Sequence, residues 1–92
     1  MDELFLSKIR LAIIAELLTV EWAAFSVLQN SVQSTNGNLG AHLAKLVEAG
    51  YVKEVKRFEN RRPQSRYRLT KSGRSAFLRH VAELQTLVSG KS

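Results

Sequence analysis

Between Lys53 and Arg74 the chain carries nine lysine or arginine side chains against two glutamates, Glu54 and Glu59. Fixed charge at that density raises the local potential and favours a phosphate-bearing partner over a neutral one. Residues 1–50 hold three basic and five acidic side chains and the remainder eleven and three, so the functional face is expected in the second half. Directly upstream of the basic run, Thr35, Asn36, Gly37, Asn38, Ala41, His42 and Lys45 are interleaved with Leu39, Leu43 and Leu46, which recur at helical spacing. These groups suit recognition. An asparagine amide offers one donor and one acceptor, enough to engage N6 and N7 of adenine, and an alanine methyl can meet that of thymine.

Bond-making chemistry is poorly provided for. The absence of cysteine removes disulfides, thiolate metal ligands and cysteine nucleophiles together, and suits a reducing cytoplasm. Asp2 is the single aspartate, serine, histidine and acid form no local constellation, and no phosphate-cradling glycine loop opens a helix. The residues describe a binding protein and not an enzyme, and no cofactor is expected.

Ninety-two residues make one domain, 1–92, whose own core is only marginally stabilising without help from a partner chain. The run MDELFLSKIRLAIIAELL is apolar, but Lys8, Arg10 and Glu16 interrupt it and no small-residue cleavage site follows a basic start. Neither a signal peptide nor a membrane span is expected. The spacing predicts a helix over 1–18 with Leu6, Ile9, Ile13 and Leu17 on one face. Leu4, Leu11, Ile14 and Leu18 lie roughly opposite, and a small monomer has too little chain to cover both rows. The row Leu4, Leu11, Ile14 and Leu18 is therefore assigned to a second subunit, the alternative being a helix buried centrally in its own core.

A short helix over 21–29 is expected next, packed through Trp22, Phe25 and Val27 or Leu28, before a turn at Gln29-Asn30-Ser31. Ser34 or Thr35 caps a third helix, 35–49, which stops at Ala49-Gly50-Tyr51, where Gly50 suits a left-handed position. A hairpin over 51–70 follows. Tyr67 and Leu69 alternate with Arg66 and Arg68 in its second strand, and Asn60–Gln64, with the only proline, reads as the tip. Thr70 or Ser72 caps a final helix, 72–88, with the stripe Phe77, Val81, Leu84 and Val88, and Gly90, Lys91 and Ser92 are expected to fray. The fold class is α+β, mainly α. Leu78, Leu84, Leu87 and Val88 are expected to complete a dimer contact with helix 1.

With Leu39, Leu43 and Leu46 inward, a rotation of about 100° per residue turns Gly37, Asn38, Ala41, Ala44, Lys45 and Glu48 outward, with Asn36 and His42 on the flanks. Glu48 repels phosphate and receives no contact, while Asn36 and Asn38 can alternatively serve only the helix start. Arg61 and Arg62 at the hairpin tip can reach a minor groove or its flanking phosphates, and Lys56, Arg57, Arg66 and Arg68 on the strands fit backbone contacts.

The segment Asn38-Leu39-Gly40-Ala41-His42-Leu43-Ala44-Lys45-Leu46-Val47-Glu48-Ala49-Gly50-Tyr51-Val52 resembles the winged helix-turn-helix signature of MarR-like transcriptional regulators. Tyr67-Arg68-Leu69-Thr70-Lys71-Ser72-Gly73-Arg74 resembles that family's wing exit into its last helix. The similarity covers nearly the whole chain and is strongest to small stand-alone regulators dimerised through their terminal helices. It implies a winged helix, three helices plus a wing and a C-terminal dimerisation helix, in a homodimer that sets helix 35–49 of each subunit into successive major grooves of double-stranded DNA. Repression by promoter occupancy is the implied outcome. The chain is shorter than the larger MarR proteins, whose extra helical length often frames a small-molecule pocket, so no effector is assigned. His80 and Glu83 are similar to half of the metal site of related metal-sensing repressors, but Arg66–Thr70 supplies no matching ligands and no metal is expected. A protein-interaction module that docks an acidic partner is the alternative function.

Overall fold

The computed structural model describes residues 2–33 and 35–90, with the side chain of Asn36 also left out. The readings of Ser34 as a cap and of Lys91 and Ser92 as a frayed end fall outside the described residues. A 3-10 turn at Glu3–Leu6 leads into α1 (Lys8–Leu17), β1 (Ala23–Ala24), α2 (Phe25–Val32), α3 (Asn36–Glu48), β2 (Val52–Glu59), β3 (Arg62–Leu69) and α4 (Lys71–Ser89). The strands form one antiparallel sheet in the order β1-β3-β2. Helix-turn-helix, hairpin and closing helix together are the winged-helix fold that the resemblance implies.

The continuous helix expected over 1–18 is broken at Ser7. The Asp2 carboxylate accepts from the Leu4 amide at 3.0 Å, and Ser7, in extended backbone, accepts from the Arg10 amide at 3.2 Å to start α1. This second cap shifts the apolar phase, so Phe5 is buried while Leu6, expected in the core, is 63% exposed. On α1 itself Ile13, Ile14 and Leu17 are all buried. The row assigned to a second subunit is corrected accordingly: Ile14 belongs to the protomer's own core, Leu11 packs at its margin, and Leu4 and Leu18 are only partly exposed.

Leu39, Leu43 and Leu46 of α3 are buried beside Leu28, Val52 and Tyr67, as their spacing predicts. The helix expected over 21–29 begins instead at Phe25 and runs through the predicted turn to Val32, ending at Gln33 in the left-handed region. Ala23 and Ala24 are extended because they pair with Tyr67 and Arg66 of β3. No local pattern announces a pairing with a strand so far along the chain. At the other end of α3, Gly50 has φ +80, its amide reaches the Val47 carbonyl, and the Tyr51 amide reaches that of Leu46. These paired bonds satisfy carbonyls that the helix end leaves open and turn the chain into β2. The Tyr51 ring stacks on Phe5, its hydroxyl donating to Asp2.

Thr70 caps α4, accepting from the Gly73 amide at 3.0 Å while its hydroxyl donates to the Gly50 carbonyl at 2.6 Å. Gly73 is buried at this junction, where a Cβ would collide with the Tyr51 carbonyl. Beyond it Ala76 and His80 are buried and Phe77 and Val81 partly so, with His80 packed against the Phe5 ring. From Ala82 to Gly90 every residue is exposed, so Leu84 and Val88, expected on the packed stripe, have left the protomer's core.

Candidate nucleic-acid interface

α3 presents Gly37, Asn38, Ala41, Ala44, Lys45 and Glu48 to solvent, the set that the helical rotation turns outward. Thr35 is the helix cap, its hydroxyl accepting from the Asn38 amide at 3.2 Å. A Cβ at Gly37 or Gly40 would meet nothing within 4 Å, so neither glycine is required by packing inside the chain. His42, expected on the flank of α3 among the DNA-contacting residues, is partly buried there and engaged by another element. Its Nδ1 lies 2.9 Å from Nη1 of Arg10, and burial, reinforced by the charges of Arg10 and Lys45, holds it below the usual histidine range. Arg10 sits on another element, and nothing in the sequence pairs it with α3.

The hairpin turn is tighter than the expected Asn60–Gln64 tip. Asn60 and Arg61, with φ 50 and 62, make a two-residue turn closed by Glu59 opposite Arg62. Positive φ at both central residues is the type I′ arrangement, which matches strand twist and normally favours glycine at the second position. Pro63 falls inside β3 opposite Phe58, where β1 does not extend, and a missing amide is tolerated at such an open edge.

Strand alternation divides the wing cations between two faces. Val52, Glu54, Lys56 and Phe58 lie on one face with Leu69, Tyr67 and Ser65, and this face meets α3 at its base. Lys53, Val55 and Arg57 lie on the other, with Arg62, Arg66 and Arg68. Of the strand cations assigned to backbone contacts, Lys56 therefore shares the α3 side, whereas Arg57, Arg66 and Arg68 do not. Two of these are also engaged within the chain: Arg66 pairs with Glu59 at 2.6 Å, and the Arg68 guanidinium stands 5.4 Å from the centre of the Trp22 ring. Arg61 occupies the turn itself. Phe58, 74% exposed on the α3 side, was not singled out by sequence because its neighbours give it no helical or core context.

Glu48 and Glu54 line the groove between α3 and the wing. Glu54 accepts from the Tyr67 hydroxyl at 2.8 Å, and burial together with that carboxylate pushes Tyr67 up to about 12. Two carboxylates make the groove floor unfavourable for phosphate, so a polyanion is better received by the exposed stripe of α3 and the hairpin tip on either side. No group of three or more histidine, aspartate or glutamate side chains converges among the described residues.

An exposed helix set beside a basic hairpin on a helix-turn-helix core is the architecture of a winged-helix DNA-binding domain. The model of that family, the winged helix DNA-binding domain, matches residues 9–88, and the chain belongs to it. It is 34% identical over 85 residues to an uncharacterized protein of Methanocaldococcus jannaschii, covering 92% of both chains. Among solved structures it is similar to a transcriptional regulator homologue from Pyrococcus horikoshii OT3, with a TM-score of 0.80, 31% identity, and 96% and 92% of the two chains covered. Stf76 from the Sulfolobus islandicus plasmid-virus pSSVx (TM-score 0.66, 20% identity, 83% and 99% covered) shares the fold. So does an ArsR family transcriptional regulator (TM-score 0.67, 19% identity, 98% and 88% covered). No helix among the described residues is long and apolar enough to cross a membrane.

Proposed function

We propose that this protein is a MarR-like, sequence-specific regulator of transcription that acts in the cytoplasm as a homodimer and represses by occupying double-stranded DNA. The observation that carries the reading is the juxtaposition of two exposed surfaces, the outer stripe of α3 and a hairpin whose turn holds Arg61 in the left-handed region. A helix of 13 residues fits the major groove, where Asn38 and Lys45 meet base edges and phosphates. The two-sided wing supports the same picture. A hairpin entering the minor groove has a phosphate rail on each side, so Lys56 on one face and Arg57 and Arg62 on the other each find a partner. The Pyrococcus horikoshii protein, described as a transcriptional regulator homologue, points the same way at 31% identity.

Dimerisation rests on the far end of α4. Leu84, Leu87 and Val88 are exposed there by 40%, 67% and 87%, with Leu78 exposed one to two turns earlier. Three large apolar side chains on one solvent-exposed helix end form a surface suited to a second copy.

Fluorescence anisotropy with a labelled random-sequence duplex tests the DNA reading. With about four phosphate contacts in each of two subunits, log K is expected to fall against log salt with a slope of about −7. Replacing Arg61 and Arg62 by alanine is expected to weaken binding across sequences and flatten that slope by about 1 for each phosphate no longer neutralised. Binding that ignores salt, or none at all beside firm capture of an acidic protein, would overturn it in favour of a protein-interaction module.

A further inference from the structure

Arg10 joins three elements through one guanidinium. Its Nε donates to the Leu4 carbonyl at 2.7 Å, its Nη2 reaches the Glu3 carbonyl at 3.4 Å, and its Nη1 lies 2.9 Å from Nδ1 of His42. A guanidinium has only donors and keeps its charge, so the ring nitrogen it meets must be an unprotonated acceptor. A neutral imidazole with a bare Nδ1 carries its proton on Nε2. The contact therefore sets the tautomer of a side chain on α3, which is partly exposed between Asn38 one turn before it and Lys45 one turn after.

We infer that Arg10 is a positioning residue that holds His42 as a neutral Nε2–H donor on the DNA-facing flank of α3. The atom it meets is then a hydrogen-bond acceptor of the duplex, a phosphate oxygen or a base-edge acceptor such as N7 or O6 of guanine, and never an exocyclic amine. This deepens the DNA-binding reading and rests on it for the partner, while the tautomer itself does not depend on DNA. The charged groups around the ring are Arg10 of α1 and Lys45 of α3, both cationic, so the neutral ring is the form that both neighbours favour.

Nitrogen-15 NMR of the histidine-labelled full chain near neutral pH reads the tautomer directly. The expected result is an unprotonated Nδ1 and a protonated Nε2 for His42, with mixed tautomers in Arg10→Met and partial recovery in Arg10→Lys. A protonated Nδ1 in the wild-type protein overturns the inference without any variant having to fold. The donor role is read by anisotropy on a duplex selected from a random pool by the wild-type protein. His42→Phe is expected to bind about tenfold more weakly, His42→Gln, which places an amide N–H near the same point, to retain most affinity, and Arg10→Met combined with His42→Phe to add little to His42→Phe alone. A loss spread over all sequences identifies a phosphate oxygen, and a loss at one base position identifies a base acceptor. Equal affinity of His42→Phe and wild type overturns the donor role and leaves the DNA reading standing. Failure of the wild-type protein to bind any duplex overturns both.

Discussion

Gly73 and Gly40 look alike in the sequence and behave oppositely in the fold. At Gly73 a methyl group would be driven into the Tyr51 carbonyl and the Leu69 side chain. Gly73→Ala is expected to lower the unfolding free energy by about 2 kcal/mol or more, the scale of overpacking in a rigid site, as read from urea melts. Gly40 meets nothing, so Gly40→Ala is expected to raise stability by about 0.5–1 kcal/mol through helix propensity. Protonation offers a second residue-level test. His42 is held below its ordinary value of 6.5, so its contribution to stability is complete above about that pH and is lost as pH falls through the lower folded value. Unfolding free energy is therefore expected to decline on acidification from neutrality, and less steeply in His42→Gln. Tyr67 has the opposite sign: raised to about 12, it contributes fully below about pH 10 and loses that contribution as pH rises through about 12. With Tyr51 also raised, chiefly by its bond to Asp2, ultraviolet titration of the folded chain is expected to show less tyrosinate near pH 10 than the unfolded chain does, for both of its tyrosines.

Among the elements, the hairpin turn carries the clearest trade between folding and binding. A non-glycine residue in the left-handed region costs about 1 kcal/mol, and Arg61 occupies it at the outermost point of the wing. Arg61→Gly is expected to stabilise the chain by about 1 kcal/mol in denaturant melts while weakening DNA binding and its salt dependence. Unchanged affinity in that variant would remove Arg61 from the interface. Elements governed by local chemistry were legible in the sequence: the Thr35 and Thr70 caps, each one of two neighbouring candidates, the Gly50 stop and the inward leucines of α3 act within a turn of themselves. What was not legible depends on distant partners or on small competing caps. Ala23 and Ala24 pair with a strand that local propensity cannot see, Ser7 captures an amide that a continuous helix would have used, and the two faces of the wing follow from a register set by a turn shorter than Asn60–Gln64. The Arg10–His42 contact was hidden for the same reason, since only the packing of α1 on α3 brings the two together.

At the scale of the whole molecule, the shape is long for its mass, 54 × 25 × 21 Å, and α4 with its 19 residues contributes to that length. Because α1 spends most of its apolar side inside the protomer, the proposed pairing of two copies falls chiefly on the end of α4. Glutamate at both Leu87 and Val88 is expected to shift sedimentation from dimer to monomer and to remove the concentration dependence of the melting temperature that a dimer shows. A wild-type chain that sediments as a monomer at micromolar concentration sinks the pairing. In the proposed dimer, the stretch of α4 past Val81 acts as a ruler between two reading heads. One residue added there turns the far end by about 100° and points its leucines away from their counterpart, whereas seven restore the angle and lengthen the arm by about 10 Å. The distance between the two halves of a bound operator would then be encoded in the length of a helix that never touches it.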